Sequence, residues 1–395
     1  MKPLFLSQAV KDKPDSTATH VLLVGCGEYP AMAKTAYSNV KPLNSPRTSV
    51  QAMVNWYLSG AHAMPAGQEK PPHEAFSNPD APLGSLTALV SPSIKIETPP
   101  GGSFACARPT LANIRKAYKQ WYERLGANPD SVGVFYFCGH GVSDGVEQFL
   151  IADDFGEKGK TWSNAFHVSN TRAATIRVTK ARIVYVLDAC REFNDGVQDQ
   201  LNIPQGLTDG SRKGTITSAG SATLRSTSAN RLAYTPDEGV TYFTQALLQA
   251  LRGQCGEERD NAPGVFDVRP SELQVATAVL LNHLLLLQPN LQQHVAFESD
   301  GTHLIAMNVL DRIPDVLVEM DIDPAVLRQI SQAYLENAVT PRQLKALCDG
   351  PASFRVPRGE WQYGAEFNQA GYQVTPKHRF MSKVIFRDYL EAKSV

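Results

Sequence analysis

Ile183-Val184-Tyr185-Val186-Leu187-Asp188-Ala189-Cys190-Arg191 decides the fold, together with an upstream counterpart, Val132-Gly133-Val134-Phe135-Tyr136-Phe137-Cys138-Gly139-His140-Gly141. Each is a near-continuous β-branched and aromatic run, the pattern of a strand buried on both faces of a parallel sheet. Each stops abruptly at small or polar residues with a reactive side chain at the tip. In open α/β sheets, ligands bind outside the carboxyl ends of the strands. If the two strands are parallel neighbours, His140 and Cys190 project from one edge. A thiol and an imidazole so placed have the makings of a nucleophile and its acid/base partner.

Working outward, the 395 residues suffice for a large core and more than one domain. The net charge of −1 leaves no basic field to attract nucleic acid or an anionic membrane. The first twenty residues are polar after Leu6 and lack the apolar region of a signal peptide. The richest apolar stretch, Leu273 to Leu287, contains Gln274, Asn282 and His283 and is too short to span a bilayer. The six cysteines (26, 106, 138, 190, 255 and 348) are scattered singly, with neither CxxC nor zinc spacing. Reduced thiols in a cytoplasmic protein, with no metal, are the expectation.

His20 to Gly27 reads as the first central strand. Its Gly25-Cys26-Gly27 turn lacks the third glycine of a dinucleotide fingerprint, and a tight strand-to-loop turn is the better reading. Ser45 to Leu58 is a helix with Pro46 at its opening and an apolar stripe of Val50, Met53, Val54, Tyr57 and Leu58. Residues 60–84 read as a loop, and Ser85 to Ile96 as a strand limited by Pro92. After a turn at Pro99-Pro100-Gly101-Gly102, Thr110 caps a helix whose stripe is Ile114, Ala117, Tyr118, Trp121 and Leu125. Gln148 to Asp153 is a short return strand. Thr171 to Thr179 has no decisive period and is open to a crossover helix. Residues 194–214 form a long exposed loop, Thr215 to Ala222 a strand, and Thr241 to Leu251 a helix closed by Gly253. Residues 254–269 read as a polar linker. Ser271-Glu272-Leu273-Gln274 is a capping box opening an apolar helix that ends before Pro289. His303 to Val309 is a further strand. Beyond a soft boundary near 312, two helices are expected, Pro324 to Asn337 and Pro341 to Cys348, followed by a small β-element over Phe354 to Val374.

The chemistry follows from the two tips. A free thiol has a pKa of about 8.5 and is only a few per cent thiolate at neutral pH. A neighbouring imidazole raises that fraction, then delivers a proton to a leaving amine. An N–H at Gly141, unshielded by a side chain, can approach a developing oxyanion. With the Cys190 N–H it would make a two-donor oxyanion hole, each donor worth about 2.7–4 kcal/mol.

His140-Gly141 after one apolar strand, and Asp188-Ala189-Cys190-Arg191 fifty residues later after another, resemble the catalytic pair of the caspase/metacaspase cysteine peptidases (peptidase family C14). The caspase signature is itself a Gln-Ala-Cys core with its His about 50 residues upstream. The resemblance covers roughly residues 18–255 and includes the element order. It implies an α/β fold: a caspase-like, mostly parallel central sheet flanked by helices, an α/β/α sandwich. Residues 256–312 would complete or extend that core, and 313–395 would form a small α+β C-terminal domain. Carried over residue by residue, the resemblance makes Cys190 the nucleophile, His140 the general acid/base, and the N–H groups of Gly141 and Cys190 the oxyanion hole. Asp188 falls where metacaspases have Asp and animal caspases Gln, in the pocket for the residue before the cleaved bond. A buried carboxylate there favours Arg or Lys, because an anion without a cationic partner is costly. Ser218 and Ala219 would line the substrate cleft. Arg212, Lys213 and Arg225 are candidate self-cleavage points in an enzyme that cuts after basic residues.

The departures are that Glu28 stands where metacaspases place an Asp, and that Asp144, Glu147, Asp153 and Asp154 are too sparse for an acidic calcium stretch. No cofactor is therefore expected and calcium is not favoured. The pattern resembles a bacterial rather than an animal member. The implied activity is endopeptidase cleavage after Arg or Lys, in regulated cell death or antiviral defence, on protein substrates, with an upstream activating protease as a further partner. The rival from another class is a silent caspase-like scaffold recruiting partners through the C-terminal region, which would need neither His140 nor Cys190. A nucleotide-binding regulator using Gly25 and Gly27 is the third reading.

Overall fold

Both signature runs fold as strands in which alternate side chains enter opposite faces of one sheet. In the computed structural model, described over residues 1–32, 35, 41–59, 75–92, 95–98, 102–157, 161–193, 204–208, 215–228, 233–234, 236, 238–286, 288, 290–301 and 305–395, the chain forms two units. The first comprises Met1–Arg252 and Asp267–Val309, the second Gly253–Phe266 and Leu310–Val395.

The first unit opens with β1 (Phe5–Leu6), α1 (Gln8–Asp12), β2 (Thr19–Cys26), α2 (Ser45–Ser59), β3 (Leu83–Ser91) and a hairpin of β4 (Lys95–Thr98) and β5 (Gly102–Ala105). Then come α3 (Leu111–Gly126), β6 (Val132–Gly139), β7 (Gly141–Ser143), β8 (Gln148–Ile151), β9 (Ala165–His167), α4 (Val168–Val178), β10 (Arg182–Ala189), β11 (Glu192–Phe193), β12 (Gly220–Arg225) and α5 (Tyr242–Gln249). Next along the chain come β13 (Glu257–Arg259) and β14 (Ala262–Val268), whose residues as far as Phe266 belong to the second unit, and then helix α6 (Pro270–Leu285), β15 (Ala296–Asp300) and β16 (Asn308–Leu310), which as far as Val309 belong to the first.

The central sheet has seven strands in the order β1-β3-β2-β6-β10-β12-β15. The five inner strands are mutually parallel, and β1 and β15 run antiparallel at the two edges. Side-chain alternation divides the core. Leu22, Val24, Phe135, Phe137, Ile183, Tyr185 and Leu187 face a cluster with Ile114, Tyr118, Trp121 and Leu125 of α3 and Ile176 of α4. On the other face the Tyr136 hydroxyl reaches Thr244 of α5 at 2.7 Å, and Gly25 lets α2 come so near that a Cβ would lie 2.8 Å from the Pro46 carbonyl. The result is the expected α/β architecture, mostly parallel and covered by helices on both sides.

Several expectations are corrected locally. The stretch read as ambiguous, Thr171–Thr179, is the body of α4. Strand β12 starts at Gly220 rather than Thr215, because Thr217 and Ser218 turn back to bond the Ile176 carbonyl. The polar linker 254–269 holds two strands, β13 and β14. Helix α6 starts at Pro270 with Arg269 as N-cap and no side-chain capping bond, so the capping box at Ser271 is not used; proline's fixed φ suits the first helical turn. Edge strand β15 was not expected. Its burial is slight and it pairs with β12 through main chain and the Arg225–Glu298 ion pair, which leaves little hydrophobic pattern to detect. Among the described residues no helix is long and apolar enough to cross a membrane.

The second unit departs furthest from expectation. The two helices expected over Pro324–Asn337 and Pro341–Cys348 are a single 3₁₀ turn (Ala325–Ile330) and two strands, β18 (Ser331–Glu336) and β19 (Gln343–Ala346). With β17 (Asp315–Asp323), β20 (Ala352–Pro357), β21 (Gly359–Phe367), β22 (Tyr372–Val374), β23 (Lys377–Met381) and β24 (Ile385–Ser394) they make two four-stranded sheets, β20-β17-β24-β22 and β19-β18-β21-β23. Val316, Val318, Met320, Leu335, Phe354, Val356, Trp361 and Tyr363 share one core. The strand 352–357 buries every second residue, a period that only a sheet satisfies. The spacing of Leu327, Ile330 and Leu335 imitates a helical stripe, but tertiary pairing overrides it.

Candidate active site

The ladder between β6 and β10 runs in register from Val132↔Arg182 to Gly139↔Ala189. The next residues along the two strands are His140 and Cys190. Directly paired residues of a sheet point to the same side, so both follow Cys138 and Asp188 onto the α2/α5 side. Both side chains are half-buried. Gly141 is pressed against the other tip: a Cβ there would stand 2.7 Å from the Cys190 carbonyl oxygen and 3.2 Å from the Ala189 Cβ. Any larger residue would force the two tips apart.

Among the described residues the imidazole has two contacts, and the His140 main chain a third. Its Nε2 lies 2.9 Å from the Lys41 carbonyl oxygen. A carbonyl only accepts, so Nε2 carries the proton and Nδ1 is left as the base. The Tyr29 ring packs against it at 5.0 Å between centroids, and the Tyr29 hydroxyl accepts from the His140 N–H at 2.8 Å. Burial pushes the His140 pKa below its ordinary value, partly offset by the Lys41 carbonyl, which favours the neutral ring.

The Cys190 main chain is fixed from beneath. Gln148, fully buried on β8, donates to the Cys190 carbonyl at 3.2 Å, and its own side-chain oxygen accepts from Arg225 Nε at 3.2 Å. The sulfur meets a segment on the way from β12 to α5. The Ala233 N–H donates to Sγ at 3.3 Å, and the Ala233 carbonyl lies 3.7 Å from it. Beside it, Tyr234 N–H donates to Gln293 Oε1 at 2.9 Å, and Gln293 Nε2 donates to the Ser226 carbonyl at 2.8 Å.

Asp188 lies on the Cys190 side of β10, two residues back, and is 4 % exposed. Its carboxylate accepts from the hydroxyls of Thr241 and Thr244, the latter at 2.7 Å, and Thr241 is also the N-cap of α5. Burial pushes its pKa up to about 6 against the opposing pull of the Thr241, Thr244 and Ser226 hydroxyls. These partners are hydroxyls, so they solvate the charge without neutralising it.

Other expected site residues are placed elsewhere. Ser218 and Ala219 precede β12, whose first residue, Gly220, pairs with Arg182 at the start of β10. Their partners are the Ala181 and Lys180 carbonyls. They therefore lie at the amino edge, roughly 26 Å of strand away from Cys190 at about 3.3 Å per residue, and do not line the cleft. The chain just past β12 is what reaches the carboxyl edge: the Ser226 N–H bonds the Leu187 carbonyl and its hydroxyl the Ala189 carbonyl at 3.4 Å. Arg225 is 3 % exposed, pairs with Glu298 at 2.9 Å, and sits in a strand flanked on both sides. Its peptide bond cannot enter a cleft, so it is not a self-cleavage point. Arg212 and Lys213 lie outside the described residues. Glu28 is exposed. Asp153 is fully buried and paired with Arg108 at 3.0 Å, and among the described residues no group of three or more His, Cys, Asp or Glu side chains is placed to hold a metal ion.

Sequence reading missed Tyr29, the Lys41 carbonyl, Gln148, Thr241, Thr244 and Ala233. Tyr29 follows the first strand within a Glu-Tyr-Pro turn, a weak signal, and the remainder act through contacts remote in sequence.

A thiol and an imidazole thus stand at the ends of adjoining parallel strands of an α/β scaffold. The chain belongs to the peptidase C14 caspase-domain family, whose members are cysteine peptidases: the family model matches residues 19–263. It is 46 % identical over 318 residues to the uncharacterized protein y4kE of Sinorhizobium fredii, covering 79 % of this chain and 90 % of that protein. Among solved structures, caspase-1 of Spodoptera frugiperda matches with a TM-score of 0.37 and 13 % identity, covering 72 % of this chain and 88 % of that one.

Proposed function

We propose that this protein is a cysteine endopeptidase that cuts proteins after Arg or Lys through Cys190 and His140. The observation that carries the reading is the β6–β10 register, which brings those two residues to one edge and one side of the sheet. The neutral His140 Nδ1 takes the Cys190 proton. The thiolate forms a C–S bond to the scissile carbonyl carbon, and the resulting oxyanion is received by the N–H groups of Gly141 and Cys190. Collapse breaks the C–N bond while the imidazolium protonates the leaving amine. Water then hydrolyses the thioester, restoring the thiol.

Asp188 supports the basic specificity. A buried carboxylate held by hydroxyls and lacking a cation among its described partners gains most from a guanidinium or ammonium brought by the substrate. The Ala233 main chain against Sγ supports a zymogen, because it lies where a substrate carbonyl must approach. Self-processing is then assigned to Arg212 and Lys213, cut by the enzyme itself or by an upstream protease. The protein works in the cytoplasm on protein substrates, without nucleic acid or membrane, and no cofactor is invoked, calcium not being favoured. Its role is regulated cell death or antiviral defence.

The test is a fluorogenic peptide panel with Cys190→Ala as control. Cleavage after Arg and Lys, lost in the variant and accompanied by labelling of Cys190 with an arginyl chloromethyl ketone, is expected. Cleavage after Asp alone removes the specificity, and no cleavage or labelling removes the enzyme.

A further inference from the structure

Strands β2 and β6 pair in register up to Gly25↔Cys138. In a continuing parallel ladder the next bond from β6 would run from the His140 N–H to the Cys26 carbonyl. It is not made. The Tyr29 hydroxyl occupies that place, accepting from the His140 N–H at 2.8 Å and donating to the Cys26 carbonyl at 2.9 Å. One oxygen atom is thus inserted between two strand ends and separates them. Gly139 makes room for it, because a Cβ there would lie 2.9 Å from both the Cys26 oxygen and the Tyr29 hydroxyl. The same residue lays its ring against the imidazole.

We infer that Tyr29 is a positioning residue for the Cys190–His140 pair, its hydroxyl acting as a spacer that ends the β2–β6 ladder and turns His140 toward the thiol. The inference rests on the catalytic reading above. Without the spacer, the His140 N–H would bond Cys26 directly, as elsewhere in the ladder. The strand would then continue straight, and the imidazole would be drawn toward β2. Burial holds the phenol's pKa well above its ordinary value, so the hydroxyl keeps the proton it donates to Cys26. Neither a hydrophobic ring nor a carboxylate could serve both strands at once.

The experiment is the pH dependence of Cys190 alkylation by iodoacetamide on the full chain, which reads the thiol–imidazole pair without requiring peptide cleavage. Wild type, Tyr29→Phe and His140→Ala are compared. The titratable neighbours are Cys26 and Cys138, whose pKa values burial drives well up, and Asp153 and Asp188, each pushed up to about 6. All are retained in every variant. His140→Ala is expected to move the alkylation limb toward the unassisted thiol near pH 8.5, and Tyr29→Phe to move it in the same direction by about one pH unit, or about tenfold in rate below the limb. Turnover of an arginyl peptide should fall in kcat with KM unchanged. Gly139→Ala displaces the hydroxyl without removing it and should shift the limb likewise, which keeps the test alive if Tyr29→Phe does not fold. Tyr29→Phe superimposed on wild type, with His140→Ala shifted, overturns the spacer and leaves the catalytic pair standing. Wild type superimposed on His140→Ala overturns the pair, and the spacer with it.

Discussion

His140 Nε2 stands 2.9 Å from the main-chain oxygen of Lys41, a group that can only accept. The bond assigns the tautomer and leaves Nδ1 to receive a proton. Burial lowers the His140 pKa, so the folded site resists the proton that the unfolded chain would take up. Two consequences share one sign. The base form persists below the ordinary imidazole pKa of about 6.5, and stability contributed by this site is full above that value and declines as the pH falls through it. A kcat/KM profile whose acid limb lies below about pH 6.5 is expected, and His140→Gln should remove nearly all activity.

Asp188 has the opposite sign. Its folded pKa is raised to about 6 by burial, so the folded state binds its proton more tightly than the unfolded chain. Stability is therefore greatest below an ordinary Asp pKa of about 4 and declines as the pH rises toward 6. Binding of a basic substrate needs the ionised form and strengthens over the same interval. Asp188→Asn should raise KM for arginyl peptides at least about tenfold at pH 7.5, as expected for a lost charge-assisted bond, while flattening the acid dependence of the denaturation midpoint. An unchanged KM would place the substrate cation elsewhere.

The Ala233 main chain lies against Cys190 Sγ and is tethered beside it through Gln293. Each buried hydrogen bond contributes about 1 kcal/mol, so releasing the tether should loosen the segment. Gln293→Ala is expected to speed alkylation of Cys190 by about five- to tenfold at fixed pH, with little change in the far-ultraviolet circular dichroism. An equal rate would mean that Ala233 does not cover the thiol.

Gly141 admits no Cβ because the Cys190 carbonyl would be 2.7 Å away. Gly141→Ala should separate the two tips and carry its N–H out of reach of the oxyanion. A fall in kcat of about a hundredfold or more is expected, in line with loss of one oxyanion donor. The central ladder lies before this position, so thermal unfolding should move by only a few degrees.

The first unit was legible because its strands are buried on both faces. Val184, Val186, Phe135 and Phe137 cannot be satisfied in any solvated element, and the reactive residues follow where the apolar runs stop. The amphipathic stripe of α3, with Thr110 bonding the Asn113 N–H at 3.2 Å, was equally plain. The second unit misled because the spacing of Leu327, Ile330 and Leu335 satisfies a helical stripe as well as it does a strand with a 3₁₀ turn before it. Strand β15 was silent because it is mostly exposed and carries no apolar alternation, and β12 itself was displaced by several residues along a polar stretch.

From its residues alone, the chain determined an α/β sheet with Cys190 and His140 at the carboxyl tips of two strands, since local hydrophobic period and the abrupt end of each run are properties of the sequence. The partners of those residues were decided only by tertiary structure. The Lys41 carbonyl, the Tyr29 hydroxyl, Ala233 over the sulfur and the threonines around Asp188 come from segments tens of residues away. So did the placing of Ser218, Ala219 and Arg225 away from the cleft, because which end of a strand meets a site depends on its direction and register, and main-chain pairing leaves no mark on the side chains that a sequence displays.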